Sequence, residues 1–244
     1  MFFGAILALT AIQFITPLQH KITRKSTQGS LILAAMVGNT GYLGYPIILS
    51  LVGDKYFAWA LFYDLLGTTL GAYGFGVALA SRFGDGVQSN SRTFKAILIN
   101  PALWSFGIGL LMRQVTLPAV VVTCLDVVAW SAMRKPPPSA IASSLILIGM
   151  RLSKLTTWGS LKLASISLTI KMILVPLILG LSLASFGLTG KIAQVIVLQM
   201  AMPPAFATLV LAETFNLDKD LAVTTLAVGS LLLLITLPFW LWFF

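Results

Sequence analysis

Residues 38 to 46 have the sequence Gly38-Asn39-Thr40-Gly41-Tyr42-Leu43-Gly44-Tyr45-Pro46 and lie within an apolar stretch that runs from residue 31 to residue 52. Glycine is a poor helix former and proline lacks a backbone N–H, so this run interrupts helical hydrogen bonding. Met202-Pro203-Pro204 interrupts a second apolar stretch, residues 191 to 213, in the same way. The sequence therefore predicts two broken helices, each inside a segment long enough to cross a membrane.

The composition of the whole chain excludes a water-soluble fold. Of the 244 residues, 58% are hydrophobic and only 9% are charged, whereas globular proteins carry roughly 25% charged residues. A water-facing domain of this size would lack the polar surface that it needs. The net charge of +9 comes from short basic clusters between apolar runs, which is typical of membrane proteins, so we expect no nucleic-acid partner.

Eight stretches are apolar and long enough to span a bilayer as helices of about 20 residues. The fifth is interrupted at Arg134-Lys135-Pro136-Pro137-Pro138, so it crosses either once or twice. One crossing places ten Lys and Arg residues on one side and five on the other, whereas two crossings give nine and six, so the positive-inside rule favours one. The spans run approximately 1 to 18, 31 to 52, 56 to 80, 95 to 113, 119 to 152, 163 to 186, 191 to 213 and 220 to 243.

One crossing of the fifth stretch fixes the orientation of the chain. Both termini then lie outside, and the loops near residues 19 to 30, 81 to 95, 151 to 162 and 214 to 219 lie in the cytoplasm. Aromatic side chains at the chain end are typical of membrane interfaces, so we expect the C-terminal cluster to anchor the outer surface. That cluster consists of Phe239, Trp240, Trp242, Phe243 and Phe244.

The two breaks indicate an internal repeat. An offset of 203 − 39 = 164 places Asn39 on Pro203, the first span inside the sixth and the third span on the eighth. Three spans per copy would invert the second copy, as in inverted-repeat transporters. The fourth and fifth spans have no counterpart, so a symmetric protein would carry two more helices before Met1. We therefore expect either an N-terminally truncated member of a ten-span fold or a misassigned start.

Both breaks resemble motifs of the auxin efflux carrier family, and the C-terminal run to Pro238-Phe239-Trp240 fits the bacterial branch of that family. Asn39 to Pro46 resembles the signature N-x-G-x-x-G-x-P, and Gln199-Met200-Ala201-Met202-Pro203-Pro204 through Ala212-Glu213 resembles the second broken helix of that family. The resemblance covers essentially the whole chain. It implies an all-α polytopic membrane protein with about eight transmembrane helices of a ten-helix fold, built from two inverted five-helix repeats and two broken crossover helices.

The resemblance also implies a function. It predicts a multi-pass secondary transporter of the cell membrane that moves a small organic anion, such as a carboxylate, by an elevator-like alternating-access mechanism. Residues 1 to 80 and 163 to 244 would form the transport domain, and 95 to 152 would form the scaffold and a homodimer contact. The missing helices and an insertion at Arg134 to Ser139 both fall on the scaffold, so the alternative is a truncated, non-transporting membrane protein or gene remnant.

The first break is a candidate substrate site. A helix broken in mid-membrane exposes backbone N–H groups and half-helix dipoles, which attract a carboxylate without a basic side chain. We expect Asn39 to supply hydrogen bonds and Thr40, Gly41 and Gly44 to complete the site, with the glycines allowing close backbone approach. The alternative is tight helix packing through small residues.

The second break contributes a further candidate. Gln199 precedes it by a few residues and is expected to bind substrate, with polar packing between helices as the alternative. We place the helix breaks at Pro46, Pro203 and Pro204, because each proline removes one helical hydrogen bond and leaves a carbonyl to be satisfied. For Pro46, a simple kink is an equal alternative.

Asp64 and Lys171 are the ionisable residues furthest inside continuous spans. A charge at that depth costs on the order of 3 kcal/mol and is by default a functional candidate. Each would lie about 12 Å deep from opposite faces, which leaves an axial gap of about 6 Å that a lysine can bridge. The sequence predicts that they pair as coupling residues and that Asp64 can take up a proton. A structural ion pair, or a Lys171 that snorkels, is the alternative.

An intramembrane enzyme would need a buried nucleophile with a base, or a metal cluster. The chain has no H-E-x-x-H or G-x-S-x-G motif and no histidine in any span. Its one cysteine, Cys124, has no His or Cys neighbour at metal-ligand spacing. We therefore expect no enzymatic activity, no cofactor and no metal.

Overall fold

The computed structural model describes residues 24–69, 71–84, 118–134 and 160–244, with the single positions 6, 108 and 111. Apart from those single positions, the first and fourth predicted spans lie outside these ranges, as do residues 135–159. Every regular element in the described part of the chain is helical, and that part contains no strand. The structure is therefore all-α where it is described, as the sequence predicts.

The described helices follow the predicted spans. Both broken spans consist of two shorter helices that flank an interruption, whereas the sixth and eighth spans are continuous. Some α-helices pass into π-helical turns, in which each N–H bonds five residues back. The α-helices are α1 (Lys25–Met36), α2 (Tyr45–Leu51), α3 (Phe57–Phe62), α4 (Val77–Phe83), α5 (Ala119–Arg134), α6 (Leu161–Thr169), α7 (Val175–Ser185), α8 (Lys191–Met200), α9 (Phe206–Thr214) and α10 (Lys219–Phe243).

In the described part of the chain, two helical segments are each long and apolar enough to cross a membrane. The first is Leu161–Ser185, which contains α6, a π-helical turn and α7. The second is α10. Each contains 25 residues. At 1.5 Å per residue this length exceeds the roughly 30 Å hydrocarbon core of a bilayer. On α10, Leu231, Leu234 and Ile235 stay 68% to 73% exposed, which is expected of side chains that face lipid.

Helix α1 lies at the centre of the fold. Its side chains from Leu31 to Met36 are completely or almost completely buried, and it packs against α4, α6, α9 and α10. Gly29 permits this close packing, because a methyl group added there would lie 2.8 Å from Phe83 Cβ and 2.9 Å from Leu217 Cδ2. The central helix thereby fixes where its C-terminal end, at the first break, lies.

Within the described ranges, four π-helical segments interrupt the spans, and prolines account for two of them. Pro46 and Pro176 cannot donate to the carbonyl four residues earlier, so the hydrogen bonding shifts to the wider turn. The N–H of Tyr45 donates to Thr40 in the first case, and that of Val175 donates to Ile170 in the second. The segments are Thr40–Gly44, Tyr63–Thr69, Gly71–Gly76 and Ile170–Leu174.

The C-terminal aromatic cluster does not act as one interfacial anchor. Trp242 is 83% exposed, as an anchor would be, but Trp240 is only 1% exposed. Its indole Nε1 donates to the carbonyl of Met172 at 2.9 Å. Pro176 leaves that carbonyl without its usual helical donor, so a buried acceptor at this depth requires another. The prediction that Trp240 belongs to the interface was therefore wrong.

Asp218 ties the start of α10 to α1. Its Oδ1 accepts from the N–H of Leu221 at 2.9 Å, which makes it the N-cap of α10. Its Oδ2 accepts from Thr27 Oγ1 at 2.9 Å, and its backbone carbonyl accepts from Ser30 Oγ at 2.8 Å. The bonds from Thr27 and Ser30 thus hold the two helix ends together, whereas the bond from Leu221 lies within α10.

Candidate functional site

The two breaks meet and cross. The N–H of Asn39 donates to the carbonyl of Pro203 at 2.7 Å, and the N–H of Ala205 donates to the carbonyl of Val37 at 3.0 Å. These bonds form an antiparallel bridge between Gly38 and Pro204. Each bond is the counterpart of the other under a local two-fold rotation, so the crossover is reciprocal.

The reciprocity sets a register between the breaks that differs from the predicted one. It equates Gly38 with Pro204, and the offset is 204 − 38 = 166, two more than the predicted 164. Pro203 and Pro204 have no N–H, so the first backbone donor after the second break belongs to Ala205. Asn39 and Pro203 are consequently hydrogen-bonded partners at the crossover and not equivalent positions.

Asp64 lies beside the first break. It is half-buried, and Oδ1 accepts from the hydroxyl of Thr40 while Oδ2 accepts from the hydroxyl of Tyr45 at 2.7 Å. Thr40 and Tyr45 are five residues apart, and the π-helical turn brings both hydroxyls to the same carboxylate. The negative charge therefore lies at the start of the half helix, where the helix dipole favours it.

Lys171 lies beside the second break. It is 2% exposed, and its Nζ donates to the carbonyl of Met200 at 2.9 Å. Met200 is the last residue of α8, and Pro204 cannot supply the donor that a continuing helix would give this carbonyl. The positive charge thus satisfies the end of a half helix, where the dipole favours a cation.

The predicted pairing of Asp64 with Lys171 was wrong in this structure. A methyl group added at Gly38 would lie 3.0 Å from Lys171 Nζ, whereas one added at Gly41 would lie 3.6 Å from Asp64 Oδ2. The two charges thus flank different points of the crossing chain, and each has its own neutral partners. A half-helix end satisfies each charge locally, which removes the need for a direct ion pair.

Gln199 lies fully buried on α8, at 0% exposure. Its Oε1 and Nε2 have no hydrogen-bond partner among the described residues. The carboxamide packs against Gly44 so closely that any side chain at that position would overlap it. A buried polar group without a partner is costly, so it is a candidate for binding a ligand.

The remaining predicted residues all lie at the crossover, although their roles differ. Asn39 is 8% exposed and contributes its backbone N–H to the bridge, whereas Thr40 contributes its hydroxyl to Asp64. Pro46 lies in the first turn of α2, where proline is well tolerated. Pro203 and Pro204 form the break itself. The structure therefore gathers the predicted substrate and break residues in one place.

Tyr45 is the functional residue that the sequence analysis missed. It lies between Gly44 and Pro46 and was assigned no role. The only signal is its spacing of five residues from Thr40, which has no meaning on an α-helix.

In the part of the chain that the structure describes, no cluster of three or more His, Cys, Asp or Glu side chains could hold a metal ion.

The crossed breaks have one acid and one base beside them. The sequence that forms them also matches a known protein family. Over residues 1–241 the chain fits the family described as "Membrane transport protein". The chain belongs to this family. This match confirms the resemblance to the auxin efflux carrier family that the motifs predicted.

Two archaeal relatives are similar over most of this transporter's length. An uncharacterized transporter of Methanothermobacter thermautotrophicus is 28% identical over 214 residues, which is 88% of this chain and 67% of the relative. An uncharacterized transporter of Methanocaldococcus jannaschii is 27% identical over 221 residues, again 88% of this chain and 68% of the relative. The family is thus one of membrane transport proteins and not of enzymes.

Proposed function

We propose that the protein is a secondary transporter that moves a small organic anion, such as a carboxylate, across the cell membrane by elevator-like alternating access. The observation that supports this most is the reciprocal crossover of two broken helices with Lys171, Asp64 and Gln199 around it. Charged and unpartnered polar groups in a membrane are expensive and are characteristic of transport sites.

A carboxylate would bind on the Lys171 side of the crossover. The ammonium group has three N–H donors, and the structure accounts for one of them through Met200. The amide nitrogen of Gln199 offers a further donor, because it has no partner among the described residues. A carboxylate that accepts from both would satisfy the buried amide and balance the buried charge.

The hydrogen bonds at the crossover support a moving domain that carries the site as one body. Backbone bonds join Asn39 to Pro203 and Ala205 to Val37, and Asp218 joins α10 to α1. The two broken helices therefore cannot slide apart without losing buried bonds. We propose that they move together against the predicted scaffold of residues 95 to 152, which would also form the homodimer contact.

Counterflow into proteoliposomes tests the transport activity. Purified protein would be reconstituted with internal acetate, propionate, succinate or indole acetate, and uptake of the matching labelled compound would be followed. We expect at least one of them to drive saturable uptake above that of protein-free vesicles. Absence of counterflow across the series, with protein that is folded in the vesicles, would contradict the proposal and favour the non-transporting alternative.

Cysteine accessibility tests the elevator motion. Replacing the single cysteine by Cys124→Ser gives a background in which Tyr42→Cys is the only thiol, and Tyr42 is 80% exposed beside the first break. We expect a membrane-impermeant maleimide to label this position from either side of the bilayer. The compound that drives counterflow should shift the ratio of the two labelling rates. Labelling from one side alone, unaffected by that compound, would exclude an elevator.

We propose that Asp64 carries a cation through the transport cycle, and a proton is the simplest one. If a proton couples transport, Asp64→Asn should remove any pH dependence of the counterflow rate, because an amide cannot take up the proton. Asp220→Asn, in the first turn of α10, is the control and should keep the wild-type profile. An unchanged profile in Asp64→Asn would exclude Asp64 as the proton site.

A further inference from the structure

The two charges at the crossover, a buried Lys171 and a half-buried Asp64, have opposite signs, and neither has an ionic partner among the described residues. Lys171 contacts the neutral carbonyl of Met200, and Asp64 contacts two neutral hydroxyl groups. Apart from Asp126, in the middle of α5, every other charged residue in the described ranges lies near a helix end or in a connection between helices. Among the described residues, the site therefore contains one positive and one negative group, whose charges sum to zero.

We propose that the cation carried by Asp64 belongs to the substrate itself, which is an amino-carboxylate zwitterion. Its carboxylate would bind at Lys171 and its ammonium group at Asp64. This inference rests on the proposed transport function and narrows the substrate from carboxylates in general to those that also carry an amino group.

Charge balance favours a zwitterion over a simple anion. A monocarboxylate in this site would leave one unbalanced negative charge to cross the hydrocarbon core, and a dicarboxylate would leave two. Unbalanced charge in an apolar medium is strongly unfavourable. A zwitterion leaves the loaded site neutral, and the empty site is neutral as well. Both forms of the moving domain would therefore cross the bilayer with the same net charge.

Gln199 is suited to a ligand with both kinds of group. Its carboxamide contains one acceptor and two donor hydrogens, and neither end has a partner among the described residues. Gln199 precedes Met200, whose carbonyl accepts from Lys171. Its carboxamide packs against Gly44, and the next residue, Tyr45, donates to Asp64. The carboxamide can donate to a carboxylate or accept from an ammonium group.

Asp64 is also accessible enough to exchange partners. It is half-buried, whereas Lys171 is almost fully buried, so a ligand can reach the carboxylate more easily than the ammonium. The hydroxyl groups of Thr40 and Tyr45 can rotate, and each keeps acceptor capacity when its proton turns away. An arriving ammonium group would then find a carboxylate and two hydroxyl oxygens, which are suitable acceptors for its three donors.

Matched compounds in the counterflow assay test this inference on the wild-type protein. The pairs are glycine with acetate, β-alanine with propionate and γ-aminobutyrate with butyrate, so that the separation of the two charges increases along the series. Succinate and ethylamine represent a dicarboxylate and an amine. We expect one amino acid to drive counterflow at a concentration at least about tenfold lower than its matched carboxylate. Its uptake should not respond to a sodium gradient, a pH gradient or an imposed membrane potential.

Asp64→Asn provides the matched test of the ammonium site. It should abolish the preference for the amino acid over its matched carboxylate, whereas Asp220→Asn should retain it. If a carboxylate or succinate is transported and no amino acid is, or if a carboxylate requires sodium or protons, the zwitterion inference fails while the transport proposal stands. If no compound in the series is transported, both fail. Should Asp64→Asn not fold, the wild-type series still decides.

Discussion

The two breaks meet at the same crossover, but they differ in the residues that form them and in the charge that lies beside them. The first relies on glycine and a π-helical turn, keeps its N–H groups and has an acid beside the start of the following helix. The second relies on two consecutive prolines and has a base beside the end of the preceding helix. The difference teaches that the free start of a half helix needs an acceptor and the free end needs a donor. An acid therefore lies beside the start and a base beside the end.

The comparison also explains why each charge tolerates the membrane. A carboxylate at the N-terminal end and an ammonium at the C-terminal end of a half helix both have the favourable sign with respect to the helix dipole. Each additionally makes hydrogen bonds to neutral groups. The stabilisation is local at each break, so one charge can be tested without removing the support of the other.

Loss of the base should have the largest effect. Lys171→Met should lower the counterflow rate roughly thirtyfold or more, because removal of a buried charged partner costs about 2 to 5 kcal/mol of binding. Methionine fills a similar volume, but it leaves the Met200 carbonyl without its donor, at a cost of about 1 to 3 kcal/mol, so thermal unfolding in detergent has to show that the variant is folded before its rate is compared. The exposed Lys162, at the start of α6, is the control, and Lys162→Met should change the rate less than twofold. A rate like that of wild type in Lys171→Met would remove Lys171 from the site.

Crowding the first break should have the next largest effect. Gly44→Ala places a methyl group on the Gln199 carboxamide and should lower the free energy of unfolding by about 1 to 3 kcal/mol. Gly67→Ala and Gly74→Ala, where the added methyl meets nothing within 4 Å, are the controls and should not destabilise. Thermal unfolding in detergent measures all three.

A second variant locates the origin of that destabilisation. Combining Gly44→Ala with Gln199→Ala removes the overlapping carboxamide, so the double variant should be less destabilised than the sum of the two single variants, by about 0.5 to 3 kcal/mol. Strict additivity would mean that the alanine at position 44 is unfavourable for a reason unrelated to Gln199.

Removing the indole donor next to the base should have a smaller effect. Trp240→Phe leaves the buried Met172 carbonyl without its donor, at a cost of about 1 to 3 kcal/mol. Trp242→Phe, at an exposed position, should change stability by less than about 0.5 kcal/mol. Equal thermal unfolding temperatures for the two variants would contradict the structural role of Trp240.

Loosening the tie between the helix ends should have the smallest effect. Asp218→Ala removes the N-cap of α10 and the acceptor for Thr27, and loss of such a cap costs about 0.5 to 2 kcal/mol. Thr27→Val removes only the second of these hydrogen bonds and should cost less. A larger effect for Thr27→Val in chemical or thermal unfolding would show that capping is not the main role of Asp218.

Much of this architecture could be predicted from local sequence. Glycine and proline act on their own turn of helix, so Gly38 to Pro46 and Met202 to Pro204 were sufficient to predict both breaks. The apolar length of each span was sufficient to predict the helices that flank the breaks. The family followed from the same motifs, because the spacing of Asn39, Gly41, Gly44 and Pro46 is distinctive.

The partners across the site could not be predicted in the same way. The bond from Asn39 to Pro203 joins residues far apart in sequence, and its register depends on which residue after the prolines still has an N–H. The shared contact of Thr40 and Tyr45 with Asp64 depends on a π-helical turn that an α-helical spacing rule cannot anticipate. Depth along the span suggested that Lys171 would meet Asp64, but a free carbonyl at the end of α8 is its partner.

The hydrogen bonds that join the two breaks among the described residues run between main-chain atoms, and this affects how such a carrier can diversify. Substitutions replace side chains, and they leave the bonds from Asn39 to Pro203 and from Ala205 to Val37 intact unless a proline removes a donor. The groups that face the cargo can therefore change over generations while the frame that positions them persists. One crossing can in this way serve chemically different cargoes in different descendants.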